Sequence, residues 1–407
     1  MRARTEDIKF DPSLYPRIGI DNDYLELLSM APWESLPPIR VTPDLTLIDG
    51  NHRLTRAKME LRAEIDVEVE DIPLGKVLVR AIELNATHGK QLTMGEKRKL
   101  APRLYTNGHR DAEALVALLG VSRQFINKWT DKLREEEDLT RNQQVLDLYL
   151  QGLTQEEIAE KLVLTQQGVS QVLINTKKAT EGKICIPDPP QIGDVWTFTN
   201  CDDQYGLSGF PGRIPGQIAE NLLHFYTEPF DLVVDPMAGG GTTLDVCRAM
   251  YRRYLCWDLH PVRDGIGEHD IRGGYPARAR GCDFIILDPP YYHKKDGDYA
   301  QGSLSDLPRS DYLDAFKKLA QDSHKVLRKG GHLALIISSY VDEESLLESL
   351  WSWDYVAMFQ DAHCLPIREI QCPLTTQSLH AYHVKKFRQD RRMARLTRSI
   401  VVFRKCK

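Results

Sequence analysis

The chain runs to 407 residues, with 53 Lys+Arg against 58 Asp+Glu, a net charge of −5 and 42% hydrophobic residues. That length suits two or three domains with ordinary globular cores, and the acidic balance excludes nucleic-acid binding through overall charge, so any such footprint must be local. No apolar run is long enough to span a membrane, Met1–Asp23 has no signal-peptide pattern, and the eight cysteines from Cys185 to Cys406 include no Cys-x-x-Cys pair, which argues against zinc and for a reducing cytoplasm.

In chain order, Ile39-Arg40-Val41 and the alternating Ile65-Asp66-Val67-Glu68-Val69 read as strands. Between them, Leu47-Ile48-Asp49-Gly50-Asn51-His52-Arg53 followed by Leu54–Ala57 reads as a strand, a Gly turn and a helix. Together with Asn85-Ala86-Thr87-His88-Gly89, residues 15–90 resemble the N-terminal domain of the ParB partition-protein family, which shares its fold with sulfiredoxin. The resemblance implies that the Gly50–Arg53 turn presents backbone donors and Arg53 to a nucleotide phosphate. Asn51-His52 stand where CTP-using members usually have acidic and basic residues, so a structural or DNA-facing role competes with nucleotide binding.

Two helix-turn-helix patterns follow. In the first, helix Ala112–Leu119 and turn Gly120-Val121-Ser122 lead into helix Arg123–Leu133, with Arg123 and Gln124 at its start as DNA contacts. Glu135–Asp138 reads as a solvated helix end. In the second, Thr154 and Glu157 make a capping box, Ile158, Ala159 and Leu162 an apolar face, Val163–Thr165 the turn and Gln166–Leu173 the second helix. Gln166, Gln167, Ser170 and Gln171 there suit base-edge or phosphate contact. The expected division is 1–92 for the first domain, 93–178 for the helix-turn-helix pair and 179–204 for a linker containing Pro187-Asp188-Pro189-Pro190.

Residues 205–407 carry the chemistry. Leu232-Val233-Val234 is an apolar run followed by Asp235-Pro236-Met237-Ala238-Gly239-Gly240-Gly241-Thr242-Thr243, a strand, a Gly-rich turn and a helix start. It lacks the Lys of a phosphate-binding loop and the spacing of a dinucleotide fingerprint. Tyr254–Trp257 ends in Asp258, an acid able to hold two ribose hydroxyls, and His269-Asp270-Ile271 ends a third strand. Phe284–Leu287 is a buried strand ending in Asp288-Pro289-Pro290-Tyr291. That tetrapeptide sets a carboxylate, rigid prolines and an aromatic face at the edge where open α/β sheets bind substrates. Such a group suits an exocyclic amino nitrogen of an extruded base: Asp288 and the Pro289 carbonyl accept its hydrogens and Tyr291 stacks on the ring.

These motifs, in this order, resemble the amino-methylating DNA methyltransferases that use S-adenosylmethionine. The resemblance implies that Asp235, Pro236, Ala238, Gly239, Gly241, Thr242 and Thr243 hold the methionine part of the cofactor, Asp258 the ribose and Asp270 the adenine. Phe210–Gln217, with Pro215, resembles the family's further cofactor-contacting segment. Met237 stands where the family usually has Phe and Gly240 where it has Ser, departures expected to widen the pocket slightly.

An amphipathic helix Tyr312–Leu327, a stop at Arg328–Gly331, a central strand His332–Ser338 and a last antiparallel strand Ser399–Arg404 complete the expected sheet. The fold expected is therefore α/β: a doubly wound, mostly parallel, seven-stranded methyltransferase sheet behind a ParB/sulfiredoxin-like α+β domain and helix-turn-helix units. Within Val384–Arg398, Lys385, Arg388, Arg392 and Arg395 share one helical face, a phosphate-gripping surface for duplex DNA. His363-Cys364 with Cys372, His380 and His383 matches no zinc spacing, so no metal is expected.

The reading is a cytoplasmic enzyme that methylates adenine N6 in double-stranded DNA, its N-terminal half supplying targeting. Asp288 favours adenine because cytosine-N4 members more often carry Ser there. Competing readings are a cytosine-N4 enzyme, an RNA methyltransferase, and a ParB-like regulator whose second half senses cofactor. A homodimer and a nucleotide at Gly50–Arg53 are compatible additions.

Overall fold

A computed structural model describes residues 1–17, 19–87, 91–180, 190–198, 201, 203–292, 302–342, 344–373, 381–391, 393 and 396–406. The chain forms two compact units, Met1–Thr140 and Arg141–Lys407.

The first unit contains β1 (Arg2–Arg4), α1 (Asn22–Ser29), β2 (Ile39–Val41), β3 (Leu47–Asp49), α2 (Asn51–Met59), β4 (Glu64–Val69), α3 (Leu74–Thr87), α4 (Met94–Thr106), α5 (Ala112–Leu119) and the start of α6 (Arg123–Leu150). Its sheet runs β1-β4-β2-β3, with β2 parallel to β4 and the other pairs antiparallel. Alternation buries Ile39, Val41, Ile65 and Val67, and α2 adds Leu54 and Ala57 to the same core. Gly50 turns β3 into α2 at φ 105°, and a Cβ there would lie 2.6 Å from Ile39 Cγ2, so only glycine fits.

The first helix-turn-helix is present, but its second helix does not stop at Leu133. α6 continues to Leu150 and passes straight through the acidic run read as a helix end. No glycine or proline interrupts it, and Glu137 in mid-helix accepts from Tyr105 Oη at 2.9 Å and Arg110 Nη2 at 2.9 Å.

The second unit continues with α7 (Gln155–Leu162), α8 (Gln166–Thr180), α9 (Gly216–Tyr226), β5 (Leu232–Asp235), α10 (Thr242–Ala249), β6 (Arg253–Asp258), β7 (Ile266–Glu268), β8 (Cys282–Leu287), α11 (Arg309–Val326), β9 (Leu327–Ile337), α12 (Ser352–Asp361), β10 (Cys364–Pro373), α13 (Ala381–Gln389) and β11 (Thr397–Lys405). The capping box of Thr154 and Glu157 forms as expected, and Val163 closes the turn in the left-handed region at φ 55°. A β-branched residue is strained there.

This second helix-turn-helix packs on the sheet. Leu146 and Leu150 of α6 are buried in one core with Leu222, Val233 and Tyr254. Gly152 lies so close that a Cβ would meet Leu255 Cδ2 at 2.8 Å, and Arg278 ion-pairs with Glu157 at 3.7 Å. The boundary between the two compact units falls inside α6.

The sheet runs β10-β11-β9-β8-β5-β6-β7. β9, β8, β5, β6 and β7 are mutually parallel, and β11 is antiparallel to β9 and β10. This is the expected doubly wound, mostly parallel, seven-stranded arrangement. Alternation divides the side chains between two cores: Val233, Tyr254, Cys256, Phe284, Ile286, Ile400 and Val402 face one side, while Val234, Leu255, Ile285, Leu287, Val401 and Phe403 face the other.

Three expectations change here. α11 ends at Val326 and β9 begins at once, so Arg328–Gly331 lie in a strand, where Arg328 ion-pairs with Asp283. α12 and β10 join the expected elements. Finally, α13 ends at Gln389 and Arg398 belongs to β11, so no single helical face runs from 385 to 398; Arg392 and Arg395 lie outside the described residues.

Candidate active site

Strand alternation assembles the site before any loop is considered. Asp235 follows Val233, Asp258 follows Cys256 and Asp288 follows Ile286, each two residues on, so all three acids leave the carboxyl edge on the same face of the sheet. They line one cavity of about 740 Å³. Pro236, Ala238, Gly239, Thr242, Thr243, Asp270, Pro289, Pro290 and Tyr291 line it as well. Two predicted residues do not. Pro215 is the N-cap of α9, while the segment just before it, Phe210–Ile214, lines the cavity. Gly241 is the N-cap of α10 at φ 84°, its face covered by the Arg263 side chain.

The Gly-rich turn is held closely. Gly239 N donates to Asp258 Oδ2 at 2.8 Å and His260 N donates to Oδ1 at 3.0 Å, so Asp258 ties the tip of β6 to the loop after β5. A Cβ on Gly239 would approach Phe210 Cε1 to 2.8 Å, and one on Gly240 would approach Phe210 Cβ to 3.0 Å. Phe210 thus occupies the space left by Gly240, and that departure does not widen the pocket as expected.

Asp235 is 4% exposed and accepts from Met237 N at 3.0 Å. Desolvation pushes its carboxyl up to about 7, and Asp288 and Asp258 add to the rise, while the Thr243 and Met237 hydrogen bonds oppose it. Asp270 caps the turn at Ile271–Gly273 and ion-pairs with Arg272 Nη2 at 2.7 Å, which holds it below the usual carboxylate range. Asp288 Oδ1 accepts from Tyr291 Oη at 3.2 Å. Tyr312 donates to the Pro290 carbonyl at 3.4 Å, while the Pro289 carbonyl has no donor among the described residues. Tyr292, next in sequence, packs edge-on against Tyr340 with centroids 5.3 Å apart and fixes the tetrapeptide to the core.

The arrangement suits an extended ligand lying along the sheet edge from β7 to β8, with a second group entering at Asp288. The N-terminus of α10 at Thr242-Thr243, the Asp258 carboxylate beside the Gly-rich turn and a glycine cradle backed by Phe210 fit a nucleoside cofactor bearing a cationic amino-acid arm. Residues 128–263 match the DNA methylase family. That stretch takes in the Gly-rich turn and Asp258 and stops before Asp288. That stretch is therefore similar to the amino-methylating DNA methylases.

Among curated relatives, the chain is 34% identical over 94 residues to the transcriptional regulator NovG of Streptomyces niveus, covering 23% of this chain and 29% of that one. It is 29% identical over 111 residues to the type II methyltransferase M.BglII of Bacillus subtilis, covering 25% and 31%. The chain therefore spans less than a third of the length of these relatives. Among solved structures it is similar to the N-methyltransferase NodS of Bradyrhizobium japonicum in complex with S-adenosyl-L-homocysteine, at 14% identity and TM-score 0.31 over 48% of this chain and 90% of that one. A Pnob8-like ParB-N domain matches at 19% identity and TM-score 0.22, over 34% and 51%.

The other predicted sites are spread over both units. In the first unit Arg53 is held by the fold, donating to the Pro37 and Pro38 carbonyls and to Asp49 at 2.9 Å. The N-terminus of α2 meets the Tyr15 hydroxyl, which accepts from Asn51 N at 3.3 Å. Arg123 and Gln124 are exposed, Arg123 pairing with Glu113 at 3.0 Å. On α8, Gln166 and Gln167 are exposed and Ser170 half-buried, Gln166 donating to Glu156 at 2.5 Å. Lys385 and Arg388 are exposed on α13. His260, Arg272, Ser303 and Arg398 also line the cavity and were not expected there from the sequence, whereas Arg213 belongs to the expected Phe210–Gln217 segment. For Arg398 the signal was available, since Arg398, Ile400 and Val402 alternate into one face.

The buried Asp235 carboxyl has a measurable effect. Its folded value near 7 lies above the unfolded one, so the fold gains from the neutral carboxyl at low pH and loses that gain as pH rises through about 4 to 7. A cationic ligand arm instead favours the ionised form. Calorimetry with S-adenosylhomocysteine should show affinity rising several-fold from pH 6 to pH 8 with proton release, and Asp235→Asn should flatten that dependence. A pH-independent wild type would remove Asp235 from the cationic arm.

Proposed function

We propose that the chain transfers a methyl group from S-adenosylmethionine to the exocyclic amino nitrogen of a base extruded from duplex DNA, and that the base is adenine, methylated at N6. The observation that carries this reading is the presence of Asp288 and Asp258, with the Gly239–Thr243 turn between their strands, on one sheet face and one cavity wall. The match to the DNA methylase family supports the amino-methylating class, and a carboxylate at position 288 favours adenine.

The cofactor supplies an electrophilic methyl on its sulfonium, and everything else is positioning. Asp235 and the amides at the start of α10 would hold the methionine part, Asp258 would accept from the ribose, and Asp270, already oriented by Arg272, would hold the adenine. Asp288 and the Pro289 carbonyl accept the two amino hydrogens of the target, freeing the nitrogen lone pair from conjugation with the ring. As the nitrogen forms its new bond, Asp288 takes the proton it already holds by hydrogen bond. Tyr291 gives its ring face to the base once its hydroxyl leaves Asp288. No covalent intermediate on the chain is required, so the rate rests on orientation.

The first unit and the two helix-turn-helix units supply DNA targeting. Arg53 and Tyr15 close the turn that would otherwise take a nucleotide phosphate, which supports a structural role there. Transfer of labelled methyl to duplex DNA and to RNA, followed by nucleoside analysis, tests the reading. N6-methyladenine from duplex DNA is expected; N4-methylcytosine would reassign the base, and label in RNA alone would reject the DNA reading.

A further inference from the structure

One cavity-lining side chain has no part in the chemistry above. Arg398 is 7% exposed, lines the cavity that holds Asp288, and its Nε is buried without a hydrogen-bond partner among the described residues. Arg213, on the same wall, has an acid within reach, lying 4.0 Å from Asp203. A buried guanidinium without a counter-charge is costly, and its planar fork is shaped for an oxyanion.

Topology indicates which ligand that oxyanion belongs to. Arg398 sits one residue before Ser399, which pairs with Ile337, at the same edge where β8 releases Asp288. Its face is that of Ile400 and Val402, shared with Asp235, Asp258 and Asp288. In the strand order β11-β9-β8-β5-β6, Arg398 lies two strands beyond Asp288, and the Gly-rich turn and Asp258 lie on the opposite side. The cofactor residues and Arg398 therefore flank Asp288, and the group that reaches Arg398 is the far end of whatever presents its amino nitrogen there. Outside the cavity, Lys385, Lys386, Arg388 and Arg391 are exposed on and just after α13, shortly before β11, a run of cations suited to a strand backbone.

We propose that Arg398 grips the phosphate of the extruded target nucleotide, setting the depth at which the base amino group meets Asp288. This inference rests on the proposed base-methylating reading. Arg398 is a positioning residue in it: its charge acts on nucleotide binding and orientation, and Asp288 retains the chemistry.

The test uses the full chain saturated with S-adenosylhomocysteine, and deoxyadenosine, its 5′-monophosphate and its 3′-monophosphate as probes, with the deoxycytidine series run in parallel. Binding is read by ligand-observed NMR. In the wild type one monophosphate should bind about tenfold tighter than its nucleoside. In Arg398→Gln that advantage should vanish with nucleoside binding intact, and Arg398→Lys should keep part of it. S-adenosylhomocysteine affinity, measured by calorimetry, should be the same in all three proteins, which also reports that the variants fold. A phosphate advantage that survives in Arg398→Gln overturns the proposal. So does equal weakening of nucleoside and nucleotide, which would place the guanidinium on the base edge, or a matching fall in S-adenosylhomocysteine affinity, which would place it on the cofactor. Failure of the wild type to bind S-adenosylhomocysteine at all would instead reject the underlying methyltransferase reading.

Discussion

Asp288→Ala should lower methyl transfer to duplex DNA by at least about two orders of magnitude while S-adenosylmethionine binding changes little. Asp288 lies on the cavity wall at the end of β8, where it accepts from the Tyr291 hydroxyl at 3.2 Å. The cofactor loop is tied down by Asp258 instead, so loss of Asp288 acts on the target nitrogen and is felt mainly in the transition state. The signature is a collapse of kcat with the KM for cofactor nearly unchanged. Asp288→Asn should fall almost as far, because the amide keeps one acceptor and loses the proton-accepting charge. Calorimetry on the same samples separates the alternatives: a parallel loss of cofactor affinity would make Asp288 part of the cofactor site, and robust turnover in either variant would end its catalytic role.

Asp258→Ala should weaken S-adenosylmethionine binding by about tenfold or more, a larger effect than loss of a ribose contact alone. The carboxylate that would accept from the ribose also accepts from Gly239 N at 2.8 Å and from His260 N at 3.0 Å. Removing it loosens the tip of the Gly-rich turn that Phe210 packs against. Asp258→Asn, which keeps an oxygen for one of those amides, should lie between alanine and wild type. At saturating cofactor, turnover should largely recover in both variants, the reverse of the Asp288 pattern. Equal affinity in wild type and Asp258→Ala would remove Asp258 from the ribose position.

Much of this site was legible because strand ends announce themselves. Val233-x-Asp235, Cys256-x-Asp258 and Ile286-x-Asp288 each continue a buried alternation into a carboxylate, and the turn chemistry of Gly239–Gly241 and Pro289-Pro290 sets the path of the chain beyond each strand. The same alternation in Arg398-x-Ile400-x-Val402 was hidden by its neighbours. The other cations from Lys385 to Arg395 suggested a phosphate-gripping helix outside the cavity, and only the start of β11 separates Arg398 from them.

Arg328-Lys329-Gly330-Gly331 reads as a helix stop because two glycines usually leave regular structure. Here Gly330 takes φ 75° and Arg328 pairs with Asp283, so the chain enters the strand without a loop. The length of α6 was illegible for the opposite reason: a polar exposed stretch carries no apolar period, yet nothing in Arg134–Gln144 breaks a helix. The packing of the second helix-turn-helix on the sheet depends on Gly152 meeting Leu255, a contact between residues far apart in the chain that no local pattern encodes.

The constellation at the carboxyl edge of the sheet is held to methylate an amino group on DNA. The most direct measurement maps modified bases across the DNA of cells that express the full chain, the Asp288→Ala chain or neither. N6-methyladenine in a fixed sequence context is expected with the wild-type chain, and background levels with the other two. Modification that is unchanged by Asp288→Ala, or wild-type DNA indistinguishable from that of cells lacking the chain, would contradict that role.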